Sequence, residues 1–249
     1  QISDTDNAIK YYLEVSKNKI DHWQSRLNLS IIYIKLENFT SALIFINEVL
    51  KIYKDYQPAL RDKAFCLYNL KDQEDQIEAF KLIKLSIKLN PNDYIAINTL
   101  GLIHLKLEEY KKAKEIFEKA ISINKLYAPS FSNLGRCYEL LNLPNKSIEF
   151  FLKAKEIDPK SHIILNNIAG YYVNNGEYQE GLNNYFEALK IRPKDLMIAS
   201  NISKNFFYLE NYTESEKWIL KCLVKDKNNP DFKKTYGIML FKKNNYEKA

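Results

Sequence analysis

The sequence matches itself at a shift of 34 residues, and this internal repeat constrains the possible fold more than any other feature. One register of the repeat is occupied by Pro91, Lys125, Pro159, Pro193 and Lys227. Ten residues after each of these positions stands a small residue, namely Gly101, Gly135, Ala169, Ser203 and Gly237. A period of this length predicts an array of helix-turn-helix units, each of which buries its apolar face only against its neighbours.

Residues 162–195 show the internal pattern of one unit most completely. Large and small apolar residues fall on one helical face at positions i, i+3, i+4 and i+7, namely Leu165, Ile168, Ala169 and Tyr172. They are followed by Gly176, Tyr178, Gly181, Tyr185, Ala188 and Pro193. This order resembles the tetratricopeptide repeat (TPR) family. The resemblance implies an all-α fold, a right-handed α-solenoid superhelix of helix-turn-helix repeats.

The register predicts six complete units, at 23–56, 57–93, 94–127, 128–161, 162–195 and 196–229. Residues 1–22 match the second-helix half of a unit, and residues 230–249 match the first helix of a further, truncated unit. Since a solenoid needs terminal repeats with polar outer faces, we expect the sequence to be a fragment of a longer chain. The second unit is three residues longer than the others, and we expect the excess in the polar turn 71–75.

Small residues at fixed offsets predict where the two helices of a hairpin pack closely. Gly101, Ala113 and Ala120 have this role in the unit 94–127, because helices approach to about 8 to 10 Å only where one side is small. The proline at the end of a unit is expected to stop the second helix, because it has no N–H to donate.

Composition limits the partners. The net charge is +6, but the lysines are spread over outer helical faces, whereas a phosphate-binding groove would concentrate them. We therefore expect no nucleic-acid partner. No apolar run reaches the length of a membrane span, so no membrane contact is expected. The three cysteines replace small packed residues and are predicted to be buried, reduced thiols, which favours a cytoplasmic location.

The sequence lacks the usual signs of catalysis or cofactor binding. Five of the six glycines are used by the repeat, so no phosphate-binding loop remains. The three histidines lie in different units, and no Cys or His spacing suits zinc. We expect no cofactor, no metal and no catalytic site, so that the chain is predicted not to be an enzyme.

In the TPR family the first helices line the inner, concave face. The sixth position of successive units is rich in amides and predicts a peptide-binding column of Asn28, Asn133, Asn167 and Asn201, with Asn98 and Asn166 one position earlier. A side-chain amide both donates and accepts a hydrogen bond, so such a column could bind the backbone of an extended peptide. This resembles the asparagine ladder of the protein O-GlcNAc transferases. The alternative is that Asn is simply common at this position and in this chain.

Neighbouring positions on the same face predict the character of the ligand. Phe65, Tyr68 and Leu102 form an expected apolar anchor site, because contiguous exposed apolar surface usually marks a contact. Inward-facing basic residues, among them Arg61, Arg136 and Lys204, favour an acidic peptide. The alternative for the apolar half is that another segment of the full-length chain folds back and covers it.

These features together predict a non-catalytic protein-interaction module that binds an extended segment of a partner in its concave groove. Two alternatives remain from the sequence. The chain could be the substrate-recruiting arm of a larger enzyme, such as a protein glycosyltransferase. It could also be a scaffold that self-associates through uncapped ends.

Overall fold

A computed structural model describes residues 2–18, 22–70 and 72–246 of the chain. These residues form fourteen α-helices, and no strand occurs among them. The chain divides into two compact units, the first extending to Lys125 and the second beginning at Leu126.

The first unit contains α1 to α7. Their bounds are Ile2–Asn18, Trp23–Lys35, Phe39–Ile52, Gln57–Asn69, Gln73–Leu89, Tyr94–Lys106 and Tyr110–Ile123. The second unit contains α8 to α14, with bounds Ala128–Leu140, Pro144–Ile157, His162–Asn174, Tyr178–Ile191, Leu196–Tyr208, Tyr212–Lys225 and Pro230–Tyr246.

Within each unit, consecutive helices pack as antiparallel hairpins that stack on one another. The pairs α2–α3, α4–α5 and α6–α7 make up the hairpins of the first unit, and α8–α9, α10–α11 and α12–α13 those of the second. Helix α1 packs on α2, and α14 packs on α13. The predicted all-α class and its helix-turn-helix solenoid architecture are confirmed.

Small residues lie where the helices of a hairpin approach. Ala113 and Ala120 are completely buried. A Cβ atom added to Gly101 would lie 2.5 Å from Cε1 of Phe117, a ring that is itself completely buried. Glycine is required at position 101 because the Phe117 ring lies directly against the backbone of α6.

The second helices end at the same register with or without a proline. Helix α11 ends at Ile191, two residues before Pro193, and α7 ends at Ile123, two residues before Lys125. In both cases the N–H of the C-cap residue bonds to the carbonyl of an alanine four residues earlier. Proline is therefore compatible with this helix end, but the end does not depend on it.

The three extra residues of the second repeat lie within the predicted range 71–75, because α5 begins 37 residues before α7 but ends 34 residues before it. The turn conformation predicted for them is wrong, because they are helical. Helix α5 begins at Gln73 and has 17 residues, whereas the second helix of each other hairpin has 14. Asp72 Oδ1 accepts the Glu74 N–H at 2.8 Å and caps the helix. Glu74 and Asp75 then lie in the first turn, where carboxylates interact favourably with the helix dipole. The polar run thus begins a helix; Lys71 lies outside the described residues.

Helix α14 is longer than the other first helices. It has 17 residues, whereas each first helix from α2 to α12 has 13. It continues without a break to Tyr246, through the register at which α12 gives way to a turn. Residues 230–246 therefore form a single helix, and residues 247–249 lie outside the described residues.

Five of the hairpin turns contain one residue in the left-handed region. These residues are Glu37, Glu108, Asn142, Gly176 and Glu210, with φ between 57° and 80°. At Glu210, the N–H of Asn211 bonds to the carbonyl of Phe206 at 2.9 Å, and the Glu210 N–H bonds to the carbonyl of Phe207 at 3.0 Å. This is a Schellman motif, in which glycine is the preferred left-handed residue.

The α4–α5 turn is closed in a different way. Leu70, the C-cap residue of α4, has an extended backbone conformation. The side chain of Gln76 donates from Nε2 to the carbonyls of Leu67, Tyr68 and Leu70 at 2.8 to 3.1 Å. A glutamine side chain on α5 therefore satisfies the carbonyls that backbone N–H groups satisfy in the Schellman turns.

Replacing Glu108 or Glu210 by Gly is expected to stabilise the fold by roughly 0.5 to 1 kcal/mol each, because glutamate pays a steric cost in the left-handed region. Asn142→Gly should gain less, since asparagine tolerates this region better than glutamate. Gly176→Ala should lose about 1 kcal/mol for the same reason. Urea unfolding followed by far-ultraviolet circular dichroism measures all four, and equal effects of the Glu and Asn substitutions would contradict the explanation.

Candidate functional site

The residues predicted to bind a peptide all lie on first helices. Those in the first unit are Asn28 on α2, Arg61, Phe65 and Tyr68 on α4, and Asn98 and Leu102 on α6. Those in the second unit are Asn133 and Arg136 on α8, Asn166 and Asn167 on α10, and Asn201 and Lys204 on α12.

In the second unit two amides of the column bond to side chains of the preceding first helix. Asn201 Nδ2 donates to Asn166 Oδ1 at 3.1 Å. Asn167 Nδ2 donates to Ser132 Oγ at 3.0 Å. These two position-six amides therefore join their helices to position five of the preceding first helix. The sequence had indicated Asn166 as a supporting residue, whereas Ser132 was missed because a serine at this position resembles any small packing residue.

The Asn166–Asn201 pair leaves one donor and one acceptor unused. Among the described residues no hydrogen bond reaches Asn201 Oδ1 or leaves Asn166 Nδ2, and both side chains are half-buried. An acceptor and a donor on neighbouring amides match the N–H and C=O groups of a peptide backbone. The pair is thus chemically suited to bind one peptide unit.

The remaining amides differ in accessibility. Asn98 is only 4% exposed, so its side chain belongs to the interior of the first unit. Asn28 and Asn133 are half-buried on α2 and α8. The column is therefore not a uniform row of solvent-facing amides.

Arg61 is engaged in an internal ion-pair cluster. Its Nε donates to Asp62 Oδ1 at 2.8 Å, and its Nη1 donates to Asp93 Oδ2 at 3.1 Å. Asp93 Oδ2 also accepts from Gln57 Nε2 at 2.8 Å, and its Oδ1 caps α6 by accepting the N–H groups of Ile95 and Ala96. The Arg61 side chain is only 18% exposed. Its charge is directed to the protein's own carboxylates.

The two carboxylates of this cluster differ in their titration. Burial raises the pKa of Asp62 above its ordinary value, although Arg61 opposes the effect. Burial also acts to raise the pKa of Asp93, but hydrogen bonds from Gln57, the Ala96 N–H and Arg61 outweigh it, so that the pKa is lowered. The pKa of the Arg61 guanidinium is raised, since attraction to both carboxylates exceeds the cost of burial. Of the two carboxylates, Asp93 is therefore the one whose ionised form the cluster stabilises more strongly.

The expected apolar anchor site is partly exposed. Phe65 packs edge-to-face against Phe39 with ring centroids 6.1 Å apart. Lys106 places its ammonium 5.1 Å from the centre of the Tyr68 ring and donates to the Tyr68 carbonyl at 3.2 Å. Leu102 is half-buried on α6. This face of the first unit thus combines apolar rings with one ammonium group.

A cavity of about 310 Å³ lies in the second unit between α12 and α14. Lys204 lines it together with Lys234, Asp231 and an apolar set consisting of Phe207, Tyr208, Ile238 and Met239. Neither lysine makes an ion pair with any described residue. Arg136, which lies on α8 outside the cavity, is exposed and also makes no ion pair within the described part of the chain. The cavity therefore offers apolar volume beside two ammonium groups and one carboxylate.

The three cysteines, Cys66, Cys137 and Cys222, are buried free thiols. Burial raises the pKa of Cys66 to about 12 and that of Cys222 to about 11. The described residues include no group of three or more His, Cys, Asp or Glu side chains placed to hold a metal ion. Over the same residues, no helix has the length and apolarity needed to cross a membrane.

Comparison with known proteins identifies the repeat. The family model described as tetratricopeptide repeat matches residues 24–56, 95–125 and 128–161. Anaphase-promoting complex subunit 3 of Schizosaccharomyces pombe is 27% identical over 162 residues, which cover 64% of this chain and 24% of that protein. Human protein O-mannosyl-transferase TMTC3 is 23% identical over 202 residues, covering 76% of this chain and 22% of that protein. The chain spans less than a quarter of either relative.

A solved structure gives the same result for the fold. The crystal structure of the APC/C hetero-tetramer Cut9–Hcn1 superimposes with a TM-score of 0.79 at 12% sequence identity, over 95% of this chain and 46% of that one. At this identity the likeness concerns the fold alone. The family match shows that the hairpins α2–α3, α6–α7 and α8–α9 are tetratricopeptide repeats. The other three hairpins have the same helix-turn-helix form.

Proposed function

We propose that the chain is a non-catalytic protein-interaction module whose first-helix face binds an extended, acidic segment of a partner protein. The observation that carries the proposal is that two complementary binding features occur together in the second unit. There the Asn166–Asn201 pair presents an unused donor and acceptor, and the cavity beside Lys204 and Lys234 presents unpaired ammonium groups next to apolar side chains.

The two features recognise different parts of a peptide. The amide pair addresses the backbone, which is the same in every sequence, whereas the cavity discriminates by charge and apolar volume. Arg61 and Asn98 are left out of this proposal, because the first is ion-paired internally and the second is buried. The relatives support the general role, since the match in Schizosaccharomyces pombe is named as a subunit of a complex.

The first test is selection of peptides of about 12 residues from a random displayed library, followed by affinity measurement of synthetic hits by fluorescence anisotropy. We expect the selected peptides to be rich in Asp and Glu with at least one large apolar residue. The double variant Lys204→Glu, Lys234→Glu should weaken them by about tenfold or more, because it replaces attraction by repulsion. The matched control is Lys111→Glu, Lys119→Glu on the exposed face of α7, which changes the net charge equally.

A second measurement isolates the backbone contact. Asn166→Leu, Asn201→Leu keeps the side-chain size and removes both amides, and circular dichroism checks that the helices persist. Binding of every selected peptide should fall by a similar factor, since backbone contacts do not depend on sequence. If the control α7 variant weakens binding as much as the cavity variant, or if the Leu variant leaves all affinities unchanged, the proposed site is wrong.

A cytoplasmic location is part of the same proposal. Three buried free thiols fit a reducing compartment, because cysteines of proteins in oxidising compartments usually form disulfides. Fluorescent tagging of the full-length parent protein and subcellular fractionation would test this directly, and recovery from the secreted fraction would contradict it.

A second candidate function is supported by one comparison. The match to protein O-mannosyl-transferase TMTC3 covers 76% of this chain and only 22% of that protein. This chain would then be the repeat-containing arm that recruits substrates for a larger enzyme. Determining the complete coding sequence around residues 1–249 decides between the two, because a glycosyltransferase domain in the same chain would favour the arm.

A further inference from the structure

The second unit contains a large groove outside the face described above. It lies between α11 and α13 over the beginning of α12 and has a volume of about 940 Å³. Its floor and walls are apolar and include Leu189, Leu196, Ala199, Trp218, Leu220 and Val224. We refer to it as the lysine-rimmed groove, after the four lysines that surround it.

The repeat itself shows that packing does not require this apolar surface. Val224 is 71% exposed on α13. The corresponding residues of the four preceding second helices are polar, namely Lys88, Ser122, Glu156 and Lys190. The register of Trp218 differs, because it is apolar in most second helices, as at Leu82, Ile116 and Phe150, and Trp218 itself packs against the core. Val224 therefore adds exposed apolar surface that the four preceding second helices do not have at this position.

The rim of the groove is strongly basic. Lys194, Lys217, Lys221 and Lys225 line it, and the last three are spaced four residues apart on one face of α13. The only acidic lining residue is Asp195, whose Oδ1 is already engaged in accepting the N–H groups of Met197 and Ile198 at the start of α12.

The lysines differ in how they are held. Lys217 pairs with Glu214 at 3.0 Å, and Lys221 lies 4.0 Å from the centre of the Trp218 ring. Lys194 and Lys225 make no ion pair with any described residue. Two ammonium groups are therefore available without breaking an existing ion pair, and a third can act together with the tryptophan ring.

We propose that the lysine-rimmed groove binds an acidic amphipathic helix of a partner protein. The groove runs beside two helices, which is the geometry in which a third helix can place one apolar face at i, i+3, i+4 and i+7 spacing. The carboxylates along the edges of that helix would meet the lysine rim, so the charge pattern selects an acidic ligand over a basic one. This site is separate from the first-helix face and does not depend on the peptide-binding function proposed for it.

The test uses the complete chain and three labelled peptides of about 16 residues, long enough for four helical turns. The first is an acidic amphipathic peptide of Leu, Glu, Ala and Gln, the second has Lys in place of Glu, and the third is the first with its order scrambled so that Leu occupies no single face. Fluorescence anisotropy gives the affinities, and the emission of Trp218, measured in a Trp23→Phe background, reports occupation of the groove. We expect the first peptide to bind at least about tenfold more tightly than the other two.

Matched variants locate the binding. Val224→Glu places a carboxylate on the floor of the groove at an exposed position, and should weaken the acidic peptide by about tenfold or more. Ile44→Glu makes the same change at an apolar residue on α3 that is 56% exposed, and should leave the affinity within about twofold. Lys194→Gln, Lys225→Gln should weaken binding, whereas Lys111→Gln, Lys119→Gln should not.

Several outcomes would overturn the proposal. These are equal affinity for the basic or the scrambled peptide, absence of binding by the acidic peptide, and equal losses in the Val224→Glu and Ile44→Glu variants. Saturable binding of decanoate without any binding of the acidic peptide would assign the groove to a lipid chain. A dimer in sedimentation experiments that Val224→Glu dissociates would assign it to a second copy of the chain.

Discussion

Replacing Asp93 by Ala is expected to lower the free energy of unfolding by about 3 kcal/mol or more, one of the two largest effects we predict. The substitution removes the N-cap of α6 and one of the two carboxylates that neutralise the largely buried Arg61. It also leaves Gln57 Nε2 with only the hydroxyl of Ser86 as an acceptor. Urea unfolding of the wild type and the variant measures the difference.

Asp195 provides a matched control within the same chain. It occupies the same register on α12, and its Oδ1 accepts two backbone N–H groups at 2.9 and 3.1 Å, as that of Asp93 does. The residue of α10 that corresponds to Arg61 is the uncharged Asn166. Asp195→Ala should therefore cost only about 1 kcal/mol, the usual value of a lost N-cap. Equal costs at the two positions would mean that the ion-pair cluster adds no stability.

The pH dependence of this difference has a definite sign. The pKa of Asp93 is lowered in the folded state, so its stabilising contribution is present above the unfolded pKa of about 3.9 and is lost as the pH falls through the folded value. The difference in free energy of unfolding between the wild type and the Asp93→Ala variant should therefore become smaller as the pH falls. The contribution of Asp62 to stability has the opposite pH dependence. Because its pKa is raised in the folded state, this contribution is present at low pH and is lost as the pH rises through the folded-state pKa.

The fold could be predicted from the sequence because the same packing requirement recurs at the same position of every repeat. Positions such as Ala113 and Ala120 stay small in successive units, since a larger side chain would separate the two helices. The conformation of the three extra residues of the second unit was predicted wrongly, because Asp72, Glu74 and Asp75 suit a turn and the first turn of a helix equally well. The deciding feature was the Gln76 side chain, which closes the α4–α5 turn through contacts that no periodicity reveals.

The candidate site was harder to predict from the sequence than the fold, because the partners of its side chains lie on neighbouring helices. Arg61 was expected to face a ligand, yet Asp93 lies 32 residues away along the chain and pairs with it in the hairpin stack. The amides of the column were recognised by their register, but their bonds to Ser132 and Asn166 depend on the stagger between first helices. The lysine-rimmed groove was missed because its lining residues come from α11, α12 and α13, which only the packing of the hairpins brings together.

The second large effect concerns the contact between Gly101 and Phe117. Phe117→Ala is expected to cost about 3 to 5 kcal/mol, because the ring is completely buried between α6 and α7. Gly101→Ala should cost about 1 to 3 kcal/mol, since an added Cβ would lie 2.5 Å from the ring and the surrounding core leaves the ring little room to move. Urea unfolding of both variants and of the double variant measures these values.

The double variant separates the steric effect from helix propensity. In the Phe117→Ala background the ring is gone, so Gly101→Ala should become stabilising by about 1 kcal/mol, the usual advantage of alanine over glycine inside a helix. Gly237→Ala on α14 is the matched control, because an added Cβ there meets no atom within 4 Å and should stabilise either background equally. A reversal of sign at position 101 but not at position 237 would mean that the glycine of the repeat is required by the ring facing it. The same sign at position 101 in both backgrounds would instead assign its cost to the backbone of α6.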